Sequence, residues 1–269
     1  MVAATAILFR TWRQNFNNKI WLQLCMSMLF RSICFLVVTF AKFEHYNIGC
    51  MLVGIAMHYS VLCSFCWMLV AAVISFKKLV LVFATETSHE LLKAFAFSYG
   101  APCIVVGVLV SVAPQSYAIH LQEKTLSGAF CYPSGLGLWL AVYAPIAAII
   151  LVNWTLFALI FRSVFLSKRI QRYGDSNEAL RCASVSCLLV FAFGLNCIAG
   201  LFSYNLAAAY FFNITTTFQG FILSLFLILG KGETRNMWVN KMKSSRKFSV
   251  VYSETMNENS NVFIINRKT

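Results

Sequence analysis

A few side chains inside the apolar stretches of this sequence have the type and spacing that chemistry requires. Cys63 and Cys66 form a C-x-x-C pair, which in a cytosolic loop would indicate a metal or redox site. The pair lies within an apolar run and has no second pair of ligands, so we interpret both cysteines as packing residues. His58, in the same run, is either a ligand or proton-relay residue or a neutral histidine hydrogen-bonded inside a helical bundle. The sequence favours the second role.

Charged groups inside the apolar runs are almost absent. Arg31 is the one cation in the interior of a predicted span, and it either lines a polar cavity or extends its head group to the membrane surface. No carboxylate lies in any complete predicted span, which argues against a proton- or cation-coupled pump. We find no inverted repeat that would indicate a transporter, and no residue pattern that indicates an enzyme, a metal or a cofactor.

Two further cysteines, Cys50 and Cys131, are predicted at the extracellular ends of the helices, where the surroundings are oxidising. A bond between them would tie a long loop to the start of the third helix. Closing about 80 residues would stabilise the fold by roughly 4 kcal/mol in the chain-entropy model. Two free cysteines near the membrane surface are the alternative.

The elements that hold these residues must be membrane-spanning helices. Hydrophobic residues make up 59% of the 269 residues and charged residues 12%, with a mean hydropathy of +0.73. A soluble domain carries about 25% charged residues. The apolar runs are apolar on nearly every side, whereas the strands of a membrane barrel alternate with a period of two. The sequence therefore predicts an all-α membrane protein.

The apolar runs predict a seven-transmembrane helix bundle whose first helix is truncated, giving six complete spans and a stub. The stub is Met1–Arg10, and the short basic segment 10–19 follows it as a loop. The complete spans are predicted at residues 20–41, 48–76, 91–113, 138–166, 179–203 and 206–230. The longest polar connection is predicted over 115–137.

The distribution of charge predicts the orientation. Nineteen of the 22 lysines and arginines fall in the tail, in the loops after helices one, three and five, or at the helix ends beside these loops, and such residues concentrate on the cytoplasmic side. The C-terminus is therefore predicted to be cytoplasmic in a multi-pass protein. The net charge of +13 is spread over short clusters at helix ends, which favours contact with anionic lipid head groups over nucleic acid.

The predicted domains are a helical bundle over 1–235, an amphipathic helix on the membrane surface over 231–247 and a disordered tail over 248–269. Helix breakers fall within spans four to seven, where they permit bends. The residues that we select as candidate hinges are Pro102, Pro145, Gly194 and Gly220.

Several short motifs follow one another along the chain from residue 10 to about 235. They are Cys50, His58-Tyr59 and Phe65-Cys66-Trp67-Met68-Leu69-Val70 in helix three; Tyr99-Gly100-Ala101-Pro102 in helix four; Cys131, Trp139, Pro145, Asn153 and Phe157 around helix five; Gly194-Leu195 in helix six; and Phe218-Gln219-Gly220-Phe221 in helix seven. In this order they resemble the adhesion branch of the secretin-like G-protein-coupled receptors. The combination is specific, although each motif alone is weak.

The resemblance implies a plasma-membrane receptor with seven helices and a Cys50–Cys131 disulfide. It also implies a heterotrimeric G protein at the inner face and activation by an extracellular or tethered peptide, whose upstream domain is expected to lie outside this chain. The candidate ligand pocket comprises Tyr59, Trp139, Phe218 and Gln219, for which core packing is the alternative role. The candidate G-protein face comprises Arg162, Lys168, Arg169 and Arg172, for which membrane-proximal positive charge is the alternative.

Three positions depart from the family's pattern. Trp21 stands where the family usually has a histidine, Ala71 where it has a glutamate, and Cys197 where it has a tryptophan. The first two positions belong to a polar cluster on the inner half, and replacing both together leaves no unpaired buried partner. The sequence thus predicts a signalling receptor, with a non-signalling decoy or assembly partner on the same fold as the alternative.

Overall fold

The computed structural model describes residues 2–40, 48–80, 89–117, 132–166 and 234–243, with helical positions at 214–215, 218, 220–221 and 225. The chain divides into two compact units, Met1–Ser224 and Leu225–Thr269. In the second unit, residues 234–243 are helical, within the range where the sequence predicts a surface helix. The sixth predicted span lies outside the described residues, and so does most of the seventh.

The first unit is built from helices, and its long helices match predicted spans two to five. The helices are α1 (Val2–Leu8), α2 (Arg10–Gln14), α3 (Phe16–Phe40), α4 (Ile48–Val80), α5 (Glu90–Val112), α6 (Gly135–Leu138) and α7 (Ala144–Leu166). In the described part of the chain, four segments are long and apolar enough to cross a membrane: Phe16–Val37, Ile48–Lys77, Glu90–Val112 and Gly135–Ser163. The count of six complete spans and a stub stays a prediction.

The predicted basic loop over residues 10–19 is mostly helical, which corrects the sequence interpretation. Residues Arg10–Gln14 form α2, and Trp12 on it is buried. The Asn18 side chain donates to the Trp12 carbonyl at 2.9 Å, which satisfies a carbonyl at the end of a short helix. Asn15 accepts from the Asn17 N–H at 3.1 Å and so caps the start of α3.

Helix α4 is the central element of the described bundle, because α3, α5 and α7 all pack against it. Its buried side chains include Leu62, Phe65 and Trp67. The helix continues to Val80, past the basic pair at which the sequence predicted its end. Lys77 can remain helical there because its ammonium group lies 2.8 Å from the Glu90 carboxylate in the first turn of α5. We call this region the Lys77 end, and the opposite end of α4 the Cys50 end.

At the Cys50 end, α5 stops at Val112 because Pro114 disfavours helical geometry in the residue before it. Pro114–Tyr117 then forms a 3₁₀ turn. The chain is next described from Tyr132 and enters α6, which continues through a π-helical turn, Trp139–Tyr143, into α7. The π turn lies directly before Pro145, which has no N–H for the helical ladder.

Candidate functional site

The Cys50 end contains a buried hydrogen-bond network centred on His58, whose side chain is 0% exposed. The His58 Nε2 atom lies 3.0 Å from the Ala141 carbonyl oxygen. Its Nδ1 atom lies 2.7 Å from the Tyr117 hydroxyl. We call these three groups the His58 network. It joins α4 to the π turn before α7 and to the 3₁₀ turn after α5.

The partners of His58 determine where its proton lies. A carbonyl oxygen only accepts, so Nε2 carries the hydrogen and donates it to Ala141. In the neutral ring Nδ1 is then an acceptor, and the Tyr117 hydroxyl donates to it. Tyr117 is 1% exposed, and burial raises its pKa to about 12. Its hydroxyl therefore keeps the proton that this bond needs at physiological pH.

The Ala141 carbonyl is available to His58 because of Pro145. In an α-helix this carbonyl would accept from the N–H four residues later, and proline has none. The local π geometry is visible in the bond from the Ala144 N–H to the Trp139 carbonyl. A buried carbonyl without a donor is costly, and His58 supplies that donor.

The turn that carries Tyr117 is hydrogen-bonded to the residue before α6. The Ser116 carbonyl accepts from the Ser134 N–H at 2.9 Å and from the Ser134 hydroxyl at 3.2 Å. A β-carbon at Gly137 would lie 2.9 Å from Ser116 Oγ, so only glycine admits this close approach. Tyr117 also packs with Leu109 and Ala141 in one buried cluster.

A second set of contacts joins α3, α4 and α5 nearer the middle of the bundle. The Tyr59 hydroxyl donates to the Tyr99 carbonyl at 3.3 Å, and the Tyr99 hydroxyl donates to Gln23 Oε1 at 2.9 Å. The Trp67 ring meets Phe95 and Tyr99 edge-on, with centroids 5.1 and 5.5 Å apart. These contacts hold the motif residues of α4 and α5 against each other.

Three of the four candidate pocket residues lie in the described part of the chain. Tyr59 is bonded between α4 and α5. Trp139 is 56% exposed and packs edge-on against Tyr143. Phe218 is exposed, and Gln219 lies outside the described residues. Their grouping into one pocket stays a prediction.

The candidate G-protein face is described only at its first member. Arg162 lies near the C-terminal end of α7 and is exposed. The other three, Lys168, Arg169 and Arg172, lie outside the described residues. Of the candidate hinges, Pro102 is buried within α5, Pro145 follows the π turn and Gly220 is helical, whereas Gly194 lies outside the described residues.

Cys50 is buried and disulfide-bonded. Cys131 lies outside the described residues, so their pairing stays a prediction. The neighbouring residue, Tyr132, has its ring 6.4 Å from the His58 ring. Cys63 and Cys66 are free and buried, in agreement with packing roles. No group of three metal-ligating side chains occurs in the part of the chain that is described.

Arg31, whose role the sequence left open, is 2% exposed. It does not extend to the membrane surface.

Sequence reasoning missed Tyr117 and the Ala141 carbonyl. Tyr117 falls in the predicted polar connection, where a buried side chain is not expected. The available signal was Pro145, since a proline within a span leaves the carbonyl four residues earlier in need of a donor, and His58 is a donor within an adjacent span.

The family model for the 7 transmembrane receptor (Secretin family) matches residues 1–223 of the chain. The chain belongs to this receptor family. The resemblance inferred from the motifs is thereby confirmed, and the matched family is one of receptors, not of enzymes. The described α3, α4, α5 and α7 are four of the family's transmembrane helices.

Individual receptors match over most of this chain. The Adhesion G-protein coupled receptor G2 of Rattus norvegicus is 28% identical over 246 residues, covering 87% of this chain and 24% of the relative. The Adhesion G protein-coupled receptor E1 of Homo sapiens is 28% identical over 251 residues, covering 87% and 26%. The chain thus spans about a quarter of the length of these relatives.

Two of the three departures from the secretin-family pattern lie on described helices. Ala71 is buried on α4 and its carbonyl accepts from the Ser75 hydroxyl at 2.8 Å. Trp21 on α3 is half-buried. Cys197 lies outside the described residues.

Proposed function

We propose that this chain is the transmembrane region of an adhesion-type receptor that transduces an extracellular or tethered-peptide signal to heterotrimeric G proteins. The observation that carries the proposal is the family match over residues 1–223, which extends from the predicted first helix into the predicted seventh. We place the receptor in the plasma membrane with its C-terminus in the cytoplasm, because nineteen of the 22 basic residues cluster at one set of predicted helix ends and in the tail, and such clusters mark the cytoplasmic side.

The peptide would bind at the Cys50 end, among Tyr59, Trp139, Phe218 and Gln219. Exposure of Trp139 and Phe218 supports their availability to a ligand. Cys50 is buried and disulfide-bonded, which supports a disulfide to Cys131 that holds the predicted outer loop close to this region. Tyr132 beside the His58 ring brings the residue next to Cys131 to the same end of α4.

The G protein would bind at the Lys77 end, through Arg162, Lys168, Arg169 and Arg172. The exposure of Arg162 at the end of α7 supports this surface. Apolar packing around Ala71 takes the place of the family's inner polar pair, so the resting state would be held by packing rather than by a buried charge.

The test is a second-messenger assay in cells that express the full chain at the surface. Candidate peptides are fused to its N-terminus, taken from the segments that precede the membrane region in the matched relatives. The matched control replaces Arg162, Lys168, Arg169 and Arg172 by alanine. We expect a peptide-dependent response that the control loses at equal surface expression.

Surface expression without a basal or peptide-evoked response in any G-protein readout would contradict the proposal. The alternative, a non-signalling decoy or assembly partner, is not favoured, because the matched proteins are named as receptors.

A further inference from the structure

We propose that His58 replaces the backbone donor that Pro145 removes, and that it thereby couples the turn Pro114–Tyr117 to the bend at the start of α7. Displacement of Tyr117 would loosen His58, and a loosened His58 would leave the Ala141 carbonyl without its donor. The turn Pro114–Tyr117 would in this way control the geometry at the start of α7. The signalling part of this inference rests on the proposed function, whereas the coupling itself does not.

The proposed coupling begins at the carbonyl of Ala141. Its carbonyl lies four residues before Pro145, so no N–H reaches it in an α-helical ladder. Ala141 is buried, and His58 Nε2 lies 3.0 Å from its oxygen. The histidine thus supplies from α4 a hydrogen bond in place of the one that residue 145 would donate in an α-helix.

The second step is the connection from His58 to the turn. The Tyr117 hydroxyl lies 2.7 Å from Nδ1, on the opposite side of the ring from Ala141. A bond to Nδ1 favours the tautomer that has its hydrogen on Nε2, so Tyr117 keeps the ring ready to donate to Ala141. Movement of Tyr117 therefore acts on the Ala141 bond through the ring.

The third step is the rigidity of the turn. Ser116 N–H donates to the Ala113 carbonyl at 3.0 Å, and Ser134 donates twice to the Ser116 carbonyl. Ser116 packs closely against Gly137, where a β-carbon would lie 2.9 Å from Ser116 Oγ. A turn held at this many points moves as one piece, and Tyr117 moves with it.

A double-mutant cycle between His58 and Pro145 tests the coupling in the purified full chain, by thermal unfolding in detergent. His58→Phe keeps a ring of similar size and removes both hydrogen bonds. We expect it to lower Tm by about 3–8 °C, since a buried carbonyl and a buried hydroxyl lose their partner. Pro145→Ala returns an N–H to the Ala141 carbonyl, so in that background His58→Phe is expected to lower Tm by at most half as much.

Pro102→Ala is the matched control, because Pro102 also lies inside a helix but the His58 network does not include it. His58→Phe should lower Tm equally in the native and Pro102→Ala backgrounds. If His58→Phe lowers Tm equally in the native and Pro145→Ala backgrounds, the proposal is overturned.

Two further variants keep the test decisive. His58→Gln retains a side-chain N–H, and it should keep Tm closer to the native value than His58→Phe does. If His58→Phe alone does not fold, the Pro145→Ala double variant is expected to restore surface expression, and failure of that rescue would overturn the proposal. Tyr117→Phe removes the hydrogen bond between the turn and His58. It should weaken the peptide-evoked response and have only a small effect on Tm.

The two proposals fail in different ways. A thermal coupling without any second-messenger response from the native chain supports the role of His58 and counts against the proposed function. A full peptide response, together with a His58→Phe effect on Tm that is the same in the native and Pro145→Ala backgrounds, supports the proposed function and counts against the role of His58.

Discussion

At the residue scale, His58 shows how one side chain can satisfy two elements that the sequence places far apart. The sequence favoured a neutral, hydrogen-bonded histidine, and the contacts to Tyr117 and Ala141 agree with that interpretation. Pro145 was the one sequence signal for the Ala141 carbonyl, whereas Tyr117 lies in a predicted loop and could not be read as a partner.

Gly137 is the residue at which the packing around the 3₁₀ turn is tightest. A β-carbon there would lie 2.9 Å from Ser116 Oγ and 3.0 Å from Leu109 Cδ1. We therefore expect Gly137→Ala to lower the free energy of unfolding by about 1–3 kcal/mol, measured by denaturation of the purified chain. Gly107→Ala, whose β-carbon would meet no atom within 4 Å, should be neutral or stabilise by up to about 1 kcal/mol. Equal effects of the two substitutions would contradict this account.

Asn153 is 1% exposed, and among the residues that the structure describes neither its amide nitrogen nor its amide oxygen has a hydrogen-bond partner. Burying an unsatisfied amide is costly, so Asn153→Leu, which has a similar volume, should raise Tm by about 2–4 °C. Asn153→Asp would bury a charge and should lower Tm. A loss of stability in both variants would show that the amide has a partner in the folded receptor.

At the element scale, the ends of the helices depend on contacts that are distant in sequence. The sequence predicted the spans 20–41 and 48–76, whereas the helices are Phe16–Phe40 and Ile48–Val80. Helix α4 extends through its basic pair, because Glu90 on α5 lies beside Lys77. Hydropathy locates a span, but it does not show whether a charge is paired with a residue on another helix.

The disulfide joins an element to a loop, and its second cysteine is the prediction to test. Peptide mapping without reduction should find Cys50 linked to Cys131. Replacing either cysteine by serine should destabilise the fold by roughly 4 kcal/mol in the chain-entropy model. Cys103→Ser, which changes an exposed free thiol, is the control and should have little effect. Linkage of Cys50 to any other cysteine would refute the pairing.

At the scale of the whole molecule, the distribution of basic residues predicts which side of the membrane each end faces. An epitope at the C-terminus should bind antibody only after the cells are permeabilised, since the tail is predicted to be cytoplasmic. An epitope inserted in the predicted outer loop between residues 118 and 131 should bind antibody on intact cells. Labelling of the C-terminal epitope on intact cells would contradict the orientation.

That this protein is a helical membrane receptor of the secretin family can be read from its amino-acid sequence. The reason is physical: only lipid accommodates so many long apolar runs, and lipid requires helices that satisfy their own backbone. The order of short motifs then sufficed to recognise the family. The described spans two to five lie where their hydropathy predicted them, within a few residues.

The contacts that join these helices become visible in the folded molecule and not before. Tyr117 is buried, although its segment is polar, because its hydroxyl bonds to His58 and its side chain packs in one cluster with Leu109 and Ala141. The helical turn Arg10–Gln14 forms in a predicted loop for a similar reason, since Asn18 satisfies the Trp12 carbonyl. Hydropathy is a property of one segment, whereas a hydrogen bond between segments exists only once the chain has folded.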